Sequence, residues 1–459
     1  MRELKEGIDT FAGKFLKLKK ILVIGAGRSS SSLIRYLLNI AEEENWFVTV
    51  ADLDAAMVER KLGGHPRSEA VQFDNNDVAH RNSLIDGADL VISMLPATMH
   101  IDVARYAVEQ GKNMLTPSYV SPEMAALDEE AKKKGVLLLN ELGVDPGIDH
   151  MSAMEIIHRL KEDDCKIIRF ESFTGGLIAP ESDNNPWHYK FTWNPRNVIM
   201  AGQGGTAMFM QDHQLKYIPA HKVFDRFKEI EIEEHGTFEG YANRDSLSYR
   251  KVYGIEDVPT IYRGTLRKKN FCRAWSVFVH LGITSESFVV ENSENMTYRE
   301  FINSFLMYDE ELKVEDKLRN YLSLDDEVME MLIWTGIFEK EKIGLKDATP
   351  ARILQQLLES KWKLEEHDKD MIVMWHRFEY YQYGSLKELH SYMVAIGEDQ
   401  TYTAMAETVG LPVGIAAKMI LNGQISMTGV QLPVQPEIYL PILAELKEHG
   451  IVFTEKQVR

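Results

Sequence analysis

Lys20-Ile-Leu-Val-Ile-Gly25-Ala-Gly27-Arg-Ser-Ser30 runs into Leu33-Ile-Arg-Tyr-Leu37-Leu38, and Val48-Thr-Val-Ala-Asp52 follows downstream. The pattern reads as a buried strand, a glycine turn, a helix and a second strand ending in a carboxylate, the local geometry of a dinucleotide site. Gly25 permits the tight turn, and Gly27 has no Cβ to hold a pyrophosphate away. The helix start beyond them offers unpaired N–H groups and a partial positive charge. Ser30 stands where a third glycine is usual, and it is small enough to let the helix lie near the strand. An acid at position 52 can accept hydrogen bonds from ribose hydroxyls and repels a 2′-phosphate. The plainer alternative is a strand–turn–helix whose glycines serve only the turn.

Outward from this unit, strands are expected at Val71–Phe73, Asp89–Leu95, Asn113–Leu115 and Val136–Leu139, with helices at Ile101–Glu109 and Ser121–Lys134. Repeated βα units force a parallel sheet covered on both faces, so the fold class is α/β with a Rossmann-type doubly wound domain. After His150 the texture changes. A helix to about Asp163, a strand Lys166–Phe173, a glycine- and proline-rich stretch from Gly175, and strand candidates through Ile261 and Phe278 suggest a second α/β domain on a mixed sheet. Residues 297–366 read as a small helical insert. Met371–Tyr381 and Ser391–Ile396 then return as strands, followed by helices Ala404–Leu421 and Pro436–His449, a pair expected to pack back on the nucleotide domain. The expected division is 1–145 with 400–459, 146–295 with 367–399, and the insert 296–366.

Composition narrows the function. A hydrophobic share of 44% suits a globular chain, and the net charge of −18 makes nucleic acid or an anionic membrane a poor partner. Any anionic substrate must then be drawn in by a local cluster of Arg and Lys. No apolar run is expected to span a bilayer, and the acidic N-terminus does not read as a targeting signal. Cys165 and Cys272 stand in unrelated contexts, which argues against disulfides and for a reducing cytoplasm. His150, His188 and His376 lack ligand spacing, so no metal is expected.

Candidate chemistry lies at the carboxyl ends of the parallel strands, where ligands bind in open α/β sheets. Ser93-Met-Leu95-Pro96, Thr116-Pro-Ser118-Tyr119 and Glu141-Leu-Gly143-Val-Asp145-Pro146-Gly147 all fall there. Asp145 is either a turn aspartate or a functional acid, and Tyr119 either packing or acid–base. Arg244, in Asn243-Arg-Asp-Ser246, and the pair in Arg263-Gly-Thr-Leu-Arg267 offer forks for carboxylates. A nucleotide fold plus anion-binding arginines implies redox chemistry on a small carboxylated substrate.

The chain resembles one family, the glutamate-forming saccharopine dehydrogenases or saccharopine reductases. The resemblance is carried by Ser118-Tyr-Val-Ser-Pro122, Glu141 to His150, Gly175-Gly-Leu-Ile-Ala-Pro-Glu181, Asn185-Pro186 and Tyr189-Lys-Phe-Thr-Trp193. Asn243 to Ser246, Arg263 to Arg267, and Ala404 to Pro412 with Ala417-Lys-Met419 also match, in order along nearly the whole chain. The resemblance implies oxidation of saccharopine to glutamate and 2-aminoadipate 6-semialdehyde, or the reverse condensation to an imine and its reduction. It implies Tyr119 and Asp145 as catalytic candidates, and Ser118, Tyr119, Asp145, Arg244, Thr265, Leu266 and Arg267 as substrate contacts. Thr265 and Leu266 would line one wall. Expected cofactor contacts are Gly25, Ala26, Gly27, Arg28, Ser29, Asp52, Leu53, Asp74, Ser93, Leu95, Val144 and Pro146.

Two departures matter. Thr174 stands where the family usually has cysteine, so no thiol can titrate there. Asp52-Leu-Asp54 stands where fungal NADP-dependent members carry an arginine, so NAD is the expected cofactor with NADP as the alternative. Rival readings are an imine reductase of carboxylated polyamine synthesis and a non-catalytic NAD-binding sensor or scaffold. A homodimer is entertained as the assembly, with small-molecule substrates as the only other partners.

Overall fold

A computed structural model describes residues 18–459. The chain forms two compact units, the described residues up to His150 with Ala406–Glu445, and Met151–Met405 with Leu446–Arg459.

The first unit opens with six strands: β1 (Lys19–Ile24), β2 (Trp46–Asp52), β3 (Ser68–Gln72), β4 (Leu90–Ser93), β5 (Asn113–Leu115) and β6 (Leu137–Leu139). The second unit carries β7 (Lys166–Ile178), β8 (Ala207–Gln211), β9 (Gln214–Ile218), β10 (Phe227–Ile232), β11 (Gly236–Ala242), β12 (Thr260–Arg267), β13 (Asp370–Gln382) and β14 (Ser385–Ile396). Two late strands complete the sheets: β15 (Gly429–Gln431) joins the first and β16 (Phe453–Gln457) the second.

The first sheet runs β15-β6-β5-β4-β1-β2-β3, and every pairing in it is parallel. This is the doubly wound order, with chain direction across the sheet reversing between β1 and β4. Ile24 is in register with both Ala51 and Ser93, so the ends of β1, β2 and β4 come level at that switch point. Helix Ser31–Ile40 buries Leu33, Ile34, Leu37 and Leu38. Helix Ala404–Leu421 lies close to it: a Cβ at Gly410 would stand 2.7 Å from Leu33 N and one at Gly414 2.5 Å from the Tyr36 ring. This helix is long and apolar enough to cross a membrane, contrary to expectation, but 78% of it is buried within the structure, as a core helix would be. The expected helix Ser121–Lys134 is broken into Pro122–Ala125 and Asp128–Lys134.

The second sheet is mixed, ordered β10-β11-β12-β7-β13-β14-β16, with β8 pairing β12 and β9. Strand β7 is parallel to β12 and antiparallel to β13. The sequence suggested that β7 ends at Phe173, because glycine weakens a strand. It continues through Gly175 and Gly176, which pair with Val373 and Ile372. Gly175 is required by packing: a Cβ there would meet Leu266 O at 2.6 Å. Phe278, expected in a strand, lies in helix Phe271–Leu281, whose bulky apolar side chains are buried.

The insert is not a separate domain. Phe301, Leu318, Leu332, Leu357 and Trp362 join the same core as Trp187, Trp275 and Phe278. Trp187 donates through its indole N–H to Met331 O at 2.7 Å, and truncating such a buried tryptophan typically costs about 3–5 kcal/mol. The final segment also departs from the expected division. Residues 446–459 belong to the second unit because β16 pairs antiparallel with β14.

Candidate active site

The glycine turn has the geometry that a dinucleotide requires. Gly25 adopts φ +99°, and a Cβ there would stand 2.8 Å from Met94 O, so no side chain fits. Gly27 is exposed, and a Cβ on it would meet nothing within 4 Å, leaving open space above the backbone. Ser30 is buried and donates to Gly27 O at 2.8 Å, which explains how serine serves in place of a third glycine. Asp52 receives Ala26 N at 2.6 Å and Asp54 N at 3.1 Å, one on each carboxylate oxygen. Each oxygen keeps a lone pair for a ribose hydroxyl.

Lys61 is a participant that sequence reading missed. Its ammonium donates to Ala26 O at 2.8 Å and Gly27 O at 2.7 Å. Burial pushes its pKa down to about 8, against the pull of Asp52. Of the other expected cofactor contacts, Arg28 and Asp74 are exposed and Ser29 half-buried. Leu53 is exposed, Ser93 and Val144 are buried, and Leu95 is half-buried against the core of this unit. Pro146 is buried and follows a cis peptide bond from Asp145. Asp74 is occupied locally, accepting from the backbone and side-chain N–H groups of Asn76.

The two catalytic candidates are brought together. Tyr119 Oη donates to Asp145 Oδ1 at 3.0 Å, with Tyr119 exposed and Asp145 half-buried. Their separation is set by Glu141, held at φ +58° in the left-handed region. Its backbone N–H donates to Ser118 O at 3.1 Å, and its carboxylate accepts from Val120 N at 3.0 Å. The other carboxylate oxygen lies 2.8 Å from Nε2 of the fully buried His150. Glu141 therefore grips the backbone on both sides of Tyr119, and such local strain persists only where the surroundings fix it. The turn itself closes on Gly147, where a Cβ would collide with Gly143 O.

In the second unit, Arg267 is buried with its guanidinium carbon 5.1 Å from the Tyr189 ring centroid and 5.2 Å from that of Phe271. Burial pushes the Tyr189 and Tyr241 phenols upward, keeping both neutral. Arg267 Nη1 donates to Leu266 O at 2.8 Å, while Nε is buried without a hydrogen-bond partner. Thr174 Oγ1 is likewise buried and unpartnered. Strand register pairs Thr265 with both Thr174 and Tyr241, and alternation along β12 puts Thr265 and Arg267 on one face. Leu266 lies on the opposite face, fully buried, so the expectation that Thr265 and Leu266 line one wall is corrected. Thr265 donates to Asn243 Oδ1 at 2.8 Å. Arg244 is exposed, and its guanidinium lies over Gly204, where a Cβ would stand 2.3 Å from Nε. Arg267 Nε and Thr174 Oγ1 are thus buried groups with unused hydrogen-bonding capacity, of the kind that a carboxylate can take up.

The family described as saccharopine dehydrogenase NADP binding domain matches residues 21–139, and that described as saccharopine dehydrogenase C-terminal domain matches residues 143–451. The chain belongs to the saccharopine dehydrogenase family. Among family relatives, the NADP(+), L-glutamate-forming saccharopine dehydrogenase of Schizosaccharomyces pombe is 32% identical over 96% of this chain and 99% of its own length. The mitochondrial alpha-aminoadipic semialdehyde synthase of Mus musculus is 33% identical over 99% of this chain, which spans 49% of that protein. The chain thus covers about half the length of the synthases it matches. A solved apo saccharopine dehydrogenase (L-Glu forming) from Saccharomyces cerevisiae aligns with a TM-score of 0.87 at 30% identity, covering 96% of this chain and all of that one.

Proposed function

We propose that this chain oxidises saccharopine to L-glutamate and 2-aminoadipate 6-semialdehyde, and runs the reverse condensation and reduction. The carrying observation is the Tyr119–Asp145 hydrogen bond in a unit that also builds a dinucleotide turn. The names of full-length relatives support the same reading. A bound nicotinamide nucleotide supplies the hydride acceptor. Gly25, Gly27, Asp52 and Lys61 hold and orient it, and that orientation is the chief rate contribution. Hydride loss from carbon and proton loss from nitrogen convert the secondary amine to an imine. Water then adds, and the C–N bond breaks to release the amine of glutamate and the aldehyde. Asp145 takes the proton from nitrogen, with Tyr119 holding the carboxylate in place. Arg267 and Arg244 bind substrate carboxylates. Thr174 offers a hydroxyl without titration near neutral pH.

The same reading takes NAD(H) in preference to NADP(H). Asp52 supports it, as a carboxylate fixed at the end of β2 that repels a 2′-phosphate. Three relatives carry NADP(+) in their names, so the proposal sets this chain apart from them. Initial rates of saccharopine oxidation with each nucleotide decide the point. A kcat/KM higher for NAD is expected, and one higher for NADP overturns the preference without touching the reaction.

A further inference from the structure

Three side chains of the first unit form a hydrogen-bonded line. Ser93 Oγ lies 2.8 Å from His100 Nδ1, and His100 Nε2 lies 2.7 Å from Ser118 Oγ. Thr116 Oγ1 stands 3.4 and 3.3 Å from the two ring nitrogens, within hydrogen-bond reach of both but farther than either serine, and accepts from Ser118 N at 3.3 Å. Ser93 and His100 are buried, at 0% and 3% exposure, whereas Ser118 is half-buried. Ser93 belongs to the nucleotide end of β4 and Ser118 to the loop that carries Tyr119, so His100 links the cofactor side to the substrate side.

Burial pushes the imidazole down to about 4, so the ring is neutral and carries one proton. A neutral imidazole donates at one nitrogen and accepts at the other. The fully buried Ser93 hydroxyl has the imidazole as its hydrogen-bond partner. Were Nδ1 protonated, the Ser93 proton would be left buried without an acceptor, at a cost of about 1–3 kcal/mol. Ser93 therefore donates to Nδ1, Nε2 carries the proton, and Ser118 Oγ accepts it.

We propose that His100 is a positioning residue that holds Ser118 as an outward hydrogen-bond donor toward an oxygen of the substrate. With its oxygen already accepting from Nε2, the Ser118 hydroxyl directs its own proton away from His100, toward a carboxylate or a carbinolamine oxygen. The identity of that acceptor rests on the saccharopine reading; the direction of the line does not.

The test pairs a tautomer measurement with kinetics. In protein labelled with 15N at histidine and bound to NADH, the His100 resonance, assigned by its loss in His100→Asn, is expected to show Nε2 protonated and Nδ1 bare. His100→Gln supplies an amide donor near the Nε2 position and is expected to keep kcat within about threefold. His100→Asn reaches only the Nδ1 position and is expected to lose roughly tenfold, as Ser118→Ala does. The double variant His100→Asn, Ser118→Ala is expected to be no worse than either single variant within about twofold. NADH binding by fluorescence, retained in every variant, reports that the unit is folded. A protonated Nδ1, equal losses in His100→Gln and His100→Asn, or multiplicative losses in the double variant each overturn the inference. Absence of saccharopine turnover in the unaltered chain is a failure of the proposed reaction, and the tautomer then decides this inference alone.

Discussion

Lys61 and Arg267 are both withdrawn from water, but their donors are placed differently. Lys61 commits its ammonium to the carbonyls of Ala26 and Gly27, so it fastens the glycine turn before any ligand arrives. Arg267 sits among aromatic rings with its Nε unpartnered. A lysine can relieve burial by losing its proton, whereas an arginine cannot. The arginine is thus held charged and incompletely paired, and in the proposed function a substrate carboxylate supplies the missing acceptor. One cation maintains a shape; the other keeps a donor uncommitted.

Breaking that contrast at its stronger end gives the largest effect. Arg267→Met is expected to lose roughly 100-fold or more in kcat/KM for saccharopine. Its Tm should stay level or rise, because replacing an imperfectly paired buried charge by apolar volume is often neutral or stabilising. A Tm drop of many degrees in thermal denaturation would make Arg267 a structural group instead. Asp145→Asn comes next, with kcat expected to fall roughly 10- to 100-fold while NADH affinity stays within about threefold. Fluorescence titration and steady-state rates separate the two quantities.

The smallest effect concerns Lys61. Its pKa falls from an ordinary 10.5 to about 8 on folding. The cost of burying its charge is therefore fully present below about pH 8 and disappears as pH rises past the unfolded value. Nucleotide binding follows the charge in the other sense. A charged Lys61 favours an anionic ligand, so NADH affinity should fall a few-fold as pH rises through about 8, and this step should be absent in Lys61→Met. An identical pH profile in the variant would remove Lys61 from nucleotide binding.

What could be read from the sequence divides along local and non-local lines. Gly25, Gly27 and Asp52 announced themselves because strand, turn, helix and acid occupy one short stretch with a fixed spacing. Tyr119 and Asp145 could be placed at strand ends, but their hydrogen bond depends on how Glu141 folds the intervening backbone. Gly175 and Gly176 looked like a break because the need for them comes from Leu266 and Met405, far along the chain. The face on which Leu266 lies follows from β12 register, which a motif does not encode. Lys61 and His100 sit on ordinary helices with no distinguishing spacing. Only the proximity of Lys61 to the turn, and of His100 to two serines, reveals them. The insert looked separable because its apolar residues have helical spacing, but Trp187 and Trp275 draw them into the core of the second unit.

The central claim is that one chain couples nucleotide reduction to cleavage of a carboxylated secondary amine. Its most direct test is incubation of the purified chain with saccharopine and NAD, following NADH absorbance and quantifying glutamate at the same time. Glutamate and NADH formed one to one, with kcat/KM lowered roughly 100-fold or more in Arg267→Met, is the predicted result. NADH binding without turnover of saccharopine in either direction, with either nucleotide, would contradict the account.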